Sequence, residues 1–329
     1  MLAVVESLVK PSQFLLTRYF GTIQTEQSEE IHFDVLDKTR SLAPFVSPVV
    51  AGQIINAKGY STNTFKPAYI KDKRVFDANR PFKRQAGEAI GGSLDPMNRL
   101  RMILANEVID QVERIQRRQE VMAAQVLRTA ALTITGEQYP TANVNFNRDA
   151  SLTVTLTGAA KWGQTGVKPL DLLQDWAQTM LQKSGSIPVD VIMTSDVWKV
   201  FREDPQVQKR LELFRGMSTM TQQAQVSEGG VFMGMIDGFN IYVYAGWYVD
   251  DNGAEQPILP AGTVLMTSSQ LQGVQAFGAI RDESAGFQAL PYYPKSWVEE
   301  DPSARILLMQ SAPLIVPTRV NASFTATVL

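Results

Sequence analysis

The chain has 329 residues, 44% hydrophobic and 19% charged, so it can bury a core unaided and is too apolar to be disordered. Its 31 basic and 33 acidic residues leave a net charge of −2, without the basic footprint of a dedicated nucleic-acid binder. With no cysteine and a single histidine, His32, it excludes disulfides, thiolate metal sites, a cysteine nucleophile and a multi-histidine metal cage. The length suggests about two domains. The start, Met1–Glu6, lacks a basic leader, and no apolar run approaches the roughly 18 residues of a membrane span. The expectation is a protein kept in a cytosol, or leaving it by a route other than secretion.

The first fifty residues mix short apolar patches with the acids Glu26, Glu29, Glu30, Asp34 and Asp37. They have no clear period and read as an extended or partly helical arm, or as a solvated segment. Between Ile54 and Ala89 the chain turns basic. Lys58, Lys66, Lys71, Lys73, Arg74, Arg80, Lys83 and Arg84 face only Asp72, Asp77 and Glu88, a net of +5. Alternation over Thr62–Ile70 predicts a two-stranded β excursion with a basic surface. Such a hairpin is marginal alone in water, so it lies on its own domain, on a neighbouring subunit or on nucleic acid.

A long helix follows. Ser93 or Asp95 can cap it and Pro96 suits its first turn. Met97, Leu100, Leu104, Val108, Val112, Ile115, Met122 and Val126 then recur at helical spacing, with neither Gly nor Pro up to Ala131. The pairs Asp110–Arg114 and Glu113–Arg117 have the favoured i, i+4 order. Leu132–Thr135 and Ser151–Thr157 alternate as half-buried strands, with turns at Gly136 and 143–149, and predict a ribbon packed on that helix. From Pro169 a helix runs to about Lys183 and stops at Gly185. Next come a strand over Val189–Thr194, a short helix capped at Ser195–Asp196 and a helix from Asp204–Pro205 to about Phe214. A polar loop, 216–230, precedes a strand over Phe239–Tyr244. A hairpin over Tyr248–Pro257 turns at Asp251–Gly253, and Thr263–Thr267 is expected to pair behind it. Strands over Ala304–Gln310 and Val320–Val328 close an α+β chain.

The chemical vocabulary is poor. No dinucleotide, phosphate-loop or nucleophile-elbow motif is present, and the glycines at 229, 230, 234 and 238 lack phosphate-loop spacing. His32 lies among acids without a nucleophile that the sequence can place. Glu299–Asp301 reads as a solvated loop before it reads as an acid–base or magnesium site. No catalytic, metal or cofactor-binding residue is assigned. Segments that cannot be stable alone imply a covering partner, and a second copy of the chain is the economical one.

Several segments resemble the lambda-type phage major capsid proteins. They are Phe45–Gly52, Thr64–Lys71, Asn240–Tyr244 with Gly246 and Tyr248–Val249, Tyr293–Val298, and Met309–Leu314, in the family's order. The resemblance implies a Hong Kong 97-type capsid fold of class α+β. It would have an N-terminal arm (1–50) and an extended β-hairpin loop (51–94). A peripheral domain (95–168 and 269–312) would carry the spine helix (95–131), beside an axial domain (169–268 and 313–329). It implies a structural protein, not an enzyme, whose pentamers and hexamers tile an icosahedral shell around packaged double-stranded DNA. The partners implied are other copies of the chain, a scaffolding protein, a portal, a decoration protein and DNA held non-specifically, with no membrane and no cofactor. Assembly would take place in the host cytoplasm. On this reading the hairpin residues Lys58, Phe65, Lys66, Tyr69, Ile70, Lys71, Lys73, Arg74, Phe76, Arg80, Lys83 and Arg84 contact an adjacent subunit and meet its acids. Loop 216–230 is expected to absorb the different curvatures of pentamers and hexamers. Two other readings stay open: a cellular encapsulin-like compartment shell, and a soluble enzyme or ligand-binding protein.

Overall fold

The structure, a computed structural model, describes residues 13–28, 30–36, 60–67, 69–77, 79–83, 95–136, 139–210, 226–227, 229–250, 252–301 and 303–329. In chain order it begins with a short helix, α1 (Phe14–Tyr19), and the strands β1 (Thr22–Thr25), β2 (Ile31–Leu36), β3 (Tyr60–Phe65) and β4 (Ile70–Asp77). The long helix α2 (Pro96–Thr129) precedes β5 (Ala131–Gly136), β6 (Tyr139–Asn145) and β7 (Thr153–Thr155). Then come α3 (Pro169–Ser184), β8 (Asp190–Thr194), α4 (Ser195–Glu203), β9 (Val226–Ser227), β10 (Gly230–Ile236) and β11 (Phe239–Tyr244). The remaining strands are β12 (Trp247–Val249), β13 (Glu255–Pro257), β14 (Thr263–Thr267), β15 (Gly273–Phe277), β16 (Tyr293–Glu299), β17 (Ala304–Ser311), β18 (Pro313–Pro317) and β19 (Ser323–Thr327).

The apolar stripe from Met97 folds as one helix of 34 residues, about 50 Å long at 1.5 Å per residue. Asp95 caps it, accepting the Met97 N–H at 2.7 Å. It ends where Ala130 adopts a left-handed backbone, φ 49°. Arg148 closes that end, donating to the carbonyls of Leu127 at 2.7 Å and Arg128 at 2.6 Å. Burial of this guanidinium holds its pKa down to about 10. The expected Asp110–Arg114 pair is replaced by contacts to β4: Asp110 accepts from Arg74, and Arg114 donates to Asp72. An arginine fork on a facing strand offers a carboxylate better geometry than a neighbour on the same helix.

The central sheet has seven strands in the order β7-β19-β14-β8-β11-β10-β9. Residues 320–328 alternate in sequence, yet β19 is buried on both faces, between β7 and β14 in this sheet. Phe324 stacks on Trp176 of α3 at 5.3 Å, while the Thr325 hydroxyl, on the opposite face, donates to the Leu127 carbonyl of α2 at 3.1 Å. Layers on both sides therefore override the half-polar pattern. Trp162 extends the aromatic stack to Phe201 of α4.

Three strand pairings differ from expectation. Leu132–Thr135 pairs with β6, because 143–145 continue that strand, and the 151–157 segment joins β19 instead. Thr263–Thr267 pairs with β8 and β19 and not with the 247–257 hairpin. The excursion around residue 65 is not a self-paired hairpin: β3 pairs with β2, and β4 with β17 over eight residues. In the first fifty residues, Phe14, Leu15, Leu16, Tyr19 and Phe20 are buried in the main core, so this part of the arm is neither extended nor solvated. A helix begins at 205 as expected; residues 211–225, and with them most of the polar loop, lie outside the described residues.

Two cores result. The larger spans α1, the C-terminal half of α2, α3 and the central sheet. The smaller gathers Phe76, Ile103, Val108, Val112, Ile115, Tyr292, Leu307 and Met309 between the N-terminal half of α2 and the sheet β16-β17-β4. The small sheet β1-β15-β18 adjoins the larger core through Ala276, Leu314, Ile315 and Val316.

Candidate functional site

Strand β4 carries five of the twelve residues expected to meet a partner: Ile70, Lys71, Lys73, Arg74 and Phe76. Its alternation divides them between two faces. Phe76 points to α2 and is buried in the smaller core, with Ile70 packed against it. Arg74 points the same way. It binds Glu107 and Asp110 (2.5 Å) of α2 and Asp72 (3.0 Å) on its own strand. Burial opposes its charge, but these three acids hold the guanidinium protonated above its ordinary range. Arg80 reaches Glu107 at 3.3 Å and lies over the Phe76 ring at 5.6 Å. Arg74, Phe76 and Arg80 are thus engaged within their own chain.

The other face is open. Lys71 and Lys73 are exposed, and Val75 between them and Asp77 is 61% exposed. Lys71 lies 5.9 Å from the Tyr69 ring, whose hydroxyl donates to the Ala279 carbonyl. Lys66 faces Glu30 at 3.9 Å, Phe65 is half-buried against the larger core and Lys83 is exposed. Lys58 and Arg84 lie outside the described residues. The structure therefore gathers Lys71 and Lys73 into one exposed ridge and separates Arg74 and Phe76 from it.

A second polar assembly escaped the sequence reading. Glu120, fully buried in α2, accepts the N–H groups of Leu15 (2.9 Å) and Leu16 (2.8 Å) and the Tyr244 hydroxyl (2.9 Å). It satisfies the free first-turn amides of α1. Burial, and then the Glu120 charge, push the Tyr244 phenol above its ordinary range. At the other end of α1, Asp190 accepts from Arg18 at 2.6 and 2.9 Å, Tyr19 at 2.9 Å and Asn240 at 3.0 Å. Arg18 also lies over the Tyr242 ring at 4.7 Å. Glycines shape the socket: a Cβ on Gly230 would meet the Phe14 ring at 2.6 Å, and one on Gly273 would strike the Phe20 ring and the Tyr19 carbonyl. The available signal was a gap in the apolar stripe of α2, where Gln119 and Glu120 fall between Ile115 and Met122.

His32 is exposed on β2, its backbone N–H on Glu26 at 2.9 Å and its Nδ1 3.1 Å from the Thr64 hydroxyl. Among the described residues no three His, Asp or Glu side chains are grouped to hold a metal ion, and no helix is long and apolar enough to cross a membrane. The geometry offers two features: an exposed basic ridge on a braced sheet, and a tightly anchored N-terminal helix.

A family model described as phage major capsid protein E matches residues 1–328. The chain belongs to that family. The phage major capsid protein E relationship extends to the major capsid protein of Escherichia phage lambda, 28% identical over 96% of this chain and 94% of that protein. It extends also to the major capsid protein of Enterobacteria phage P21, 26% identical over the same shares. Among solved structures, a prophage capsid protein of Escherichia coli CFT073 covers 100% of this chain and 97% of its own, with a TM-score of 0.77 at 23% identity. The capsid of Ralstonia phage GP4 gives 0.53 at 12% identity, over 97% and 92%. The fold is the Hong Kong 97-type capsid fold, and this member of the capsid protein E family is a structural protein of a tailed-phage capsid shell.

Proposed function

We propose that this chain assembles as hexamers and pentamers into the icosahedral shell of a tailed-phage head that encloses double-stranded DNA. The observation that carries this is the full-length family match, 1–328, on a chain whose fold aligns end to end with a prophage capsid protein. Helix α2 and the sheet β16-β17-β4 form the peripheral part of the subunit, and the seven-stranded sheet forms the axial part near the capsomer centre. The Lys71–Lys73 ridge meets acids of an adjacent copy, while Arg74 and Phe76 stiffen the strand that displays it. Scaffolding, portal and decoration proteins, and DNA bound through its backbone, are further partners, met in the host cytoplasm. Relatives across 96% of the chain are phage head proteins, which favours this reading over a cellular compartment shell or a soluble enzyme.

Negative-stain electron microscopy of the purified protein, with light scattering at low and high salt, tests the proposal. Closed shells, tubes or capsomer rings are expected. A strict monomer at every salt concentration, and also on co-expression with the neighbouring phage head genes, would overturn it. In Lys71→Glu/Lys73→Glu, assembly should fail while the thermal midpoint stays within about 2 °C of the parent, because both side chains are exposed. Normal shells from that variant would remove the ridge from the interface.

A further inference from the structure

The outer face of the sheet β16-β17-β4 can be read row by row from its register. Phe76, Leu307 and Met309 point inward to α2, so the residues alternating with them point outward. One outward row is Lys73, Leu308 and Lys295, the next is Val75, Ile306 and Trp297, and the third is Asp77, Ala304 and Glu299. Successive rows lie about 7 Å apart at the rise of a β-strand. The order along β4 is base, apolar, acid, and along β16 it is again base, apolar, acid.

In the middle row Val75 is 61% and Trp297 37% exposed, and they flank Ile306, which is buried. Lys73 and Glu299 have no ion pair among the described residues. Lys295 is braced by both Asp282 oxygens at 2.9 Å, and Asp77 accepts the Arg80 N–H at 2.8 Å through one oxygen, leaving the other. The turn that holds Asp282 also bonds Gln310 at 3.0 Å, so it braces the basic end of the face, while Val75 and Trp297 stay exposed at the two sides of the middle row.

A half-turn about an axis along the middle row reverses the strand direction and inverts the charge order. Two copies laid face to face in this way set Lys73 against the partner's Asp77 and Lys295 against the partner's Glu299. Val75 and Trp297 then meet their own counterparts near the axis. We propose that this face is an isologous, two-fold contact between copies of the chain, with the apolar row at its centre and the charged rows at its rim. The inference deepens the shell reading, on which it rests, by naming the symmetry of one contact. The rim charges set register and orientation, and the middle row supplies the buried area.

The chain has no cysteine, so Val75→Cys introduces a unique thiol at an exposed position. Under oxidation it should form a covalent dimer, whereas Thr133→Cys, exposed on β5, should not. In the Val75→Cys background, Lys73→Glu and Asp77→Lys should each lower the dimer yield about tenfold. Combining the two reversals should restore it, because an isologous contact then regains opposite charges in inverted order. Shells or rings without a Val75→Cys dimer would overturn the inference and leave the shell reading standing. Dimers without any shell would do the opposite. A double reversal no better than either single one would also overturn it, by showing that the ridge meets a different surface.

Discussion

The two halves of α2 are held by different means. Its C-terminal half lies in the larger core, where Ala123, Ala124, Val126 and Leu127 are almost fully buried and Glu120 is enclosed with its donors. Its N-terminal half packs against Phe76, Tyr292, Leu307 and Met309 in the smaller core and is braced at the surface by Arg74, Glu107, Asp110 and Asp72. Burial and desolvated hydrogen bonds hold one end; partly hydrated ion pairs assist the other. The difference places the rigid reference frame of the subunit around the central sheet and makes the β4 end the more deformable, where contacts with neighbours are proposed. Local opening should therefore start at β4, with little protection from its small core.

Glu120→Ala attacks the buried half hardest. It strands two amides and a phenol, and should lower unfolding stability by about 3–5 kcal/mol in denaturant titration, with Glu120→Gln losing less because an amide oxygen still accepts. A loss below about 1 kcal/mol would mean that α1 is not anchored there. Gly273→Ala should follow at about 1–3 kcal/mol, because the added methyl must displace Phe20 or the Tyr19 carbonyl. Arg74→Ala sharpens the contrast from the other side. It should lose only about 1 kcal/mol. Hydrogen exchange should accelerate over 70–77 and 304–311 and stay unchanged over 263–267. Uniform acceleration would dissolve the distinction between the two halves.

The smallest expected effect is an acid response near the C-terminal end of α2. Bonds from Ser151, and then Lys183 at 2.9 Å, hold the Asp149 carboxyl down to about 2. A depressed folded-state pKa stabilises above the ordinary carboxylate range and loses that contribution as pH falls. The gap in thermal midpoint between the parent and Asp149→Asn should be constant above about pH 5, and should close between about pH 4 and pH 2. A gap that persists at pH 2 would assign the effect to shape and not to charge.

How much of this was legible depended on the range of the interactions. Helices α2 and α3 were written locally, in an apolar stripe, in Pro96 and Pro169 at their starts and in Gly185 at one end. The pairing of strands was not. Whether Thr153 joins Leu132 or Thr325 is decided by which faces are covered, and β19 is covered by residues far from it in sequence. The basic excursion was visible as charge, and Lys71 and Lys73 fall where the ridge is. That Arg74 turns inward could not be read before β4 was known to pair with β17, since that register fixes which alternate residues face α2. Helix α1 carries only six residues, too few for a period to emerge, and its anchors Glu120 and Asp190 are distant acids on other elements.

The pairing of Thr153 with Thr325 also fixes a schedule. A ribosome adding about 5–20 residues per second needs roughly 10–30 s to travel between these positions. Throughout that interval β7 has no strand to join, and β14, once made, still lacks its neighbour on one side. The nascent subunit therefore exposes an unfinished sheet edge for seconds, long enough to pair wrongly with another nascent chain. It becomes a competent building block only once β19 has been made, which delays premature coassembly while leaving the unfinished edge in need of shielding by chaperones.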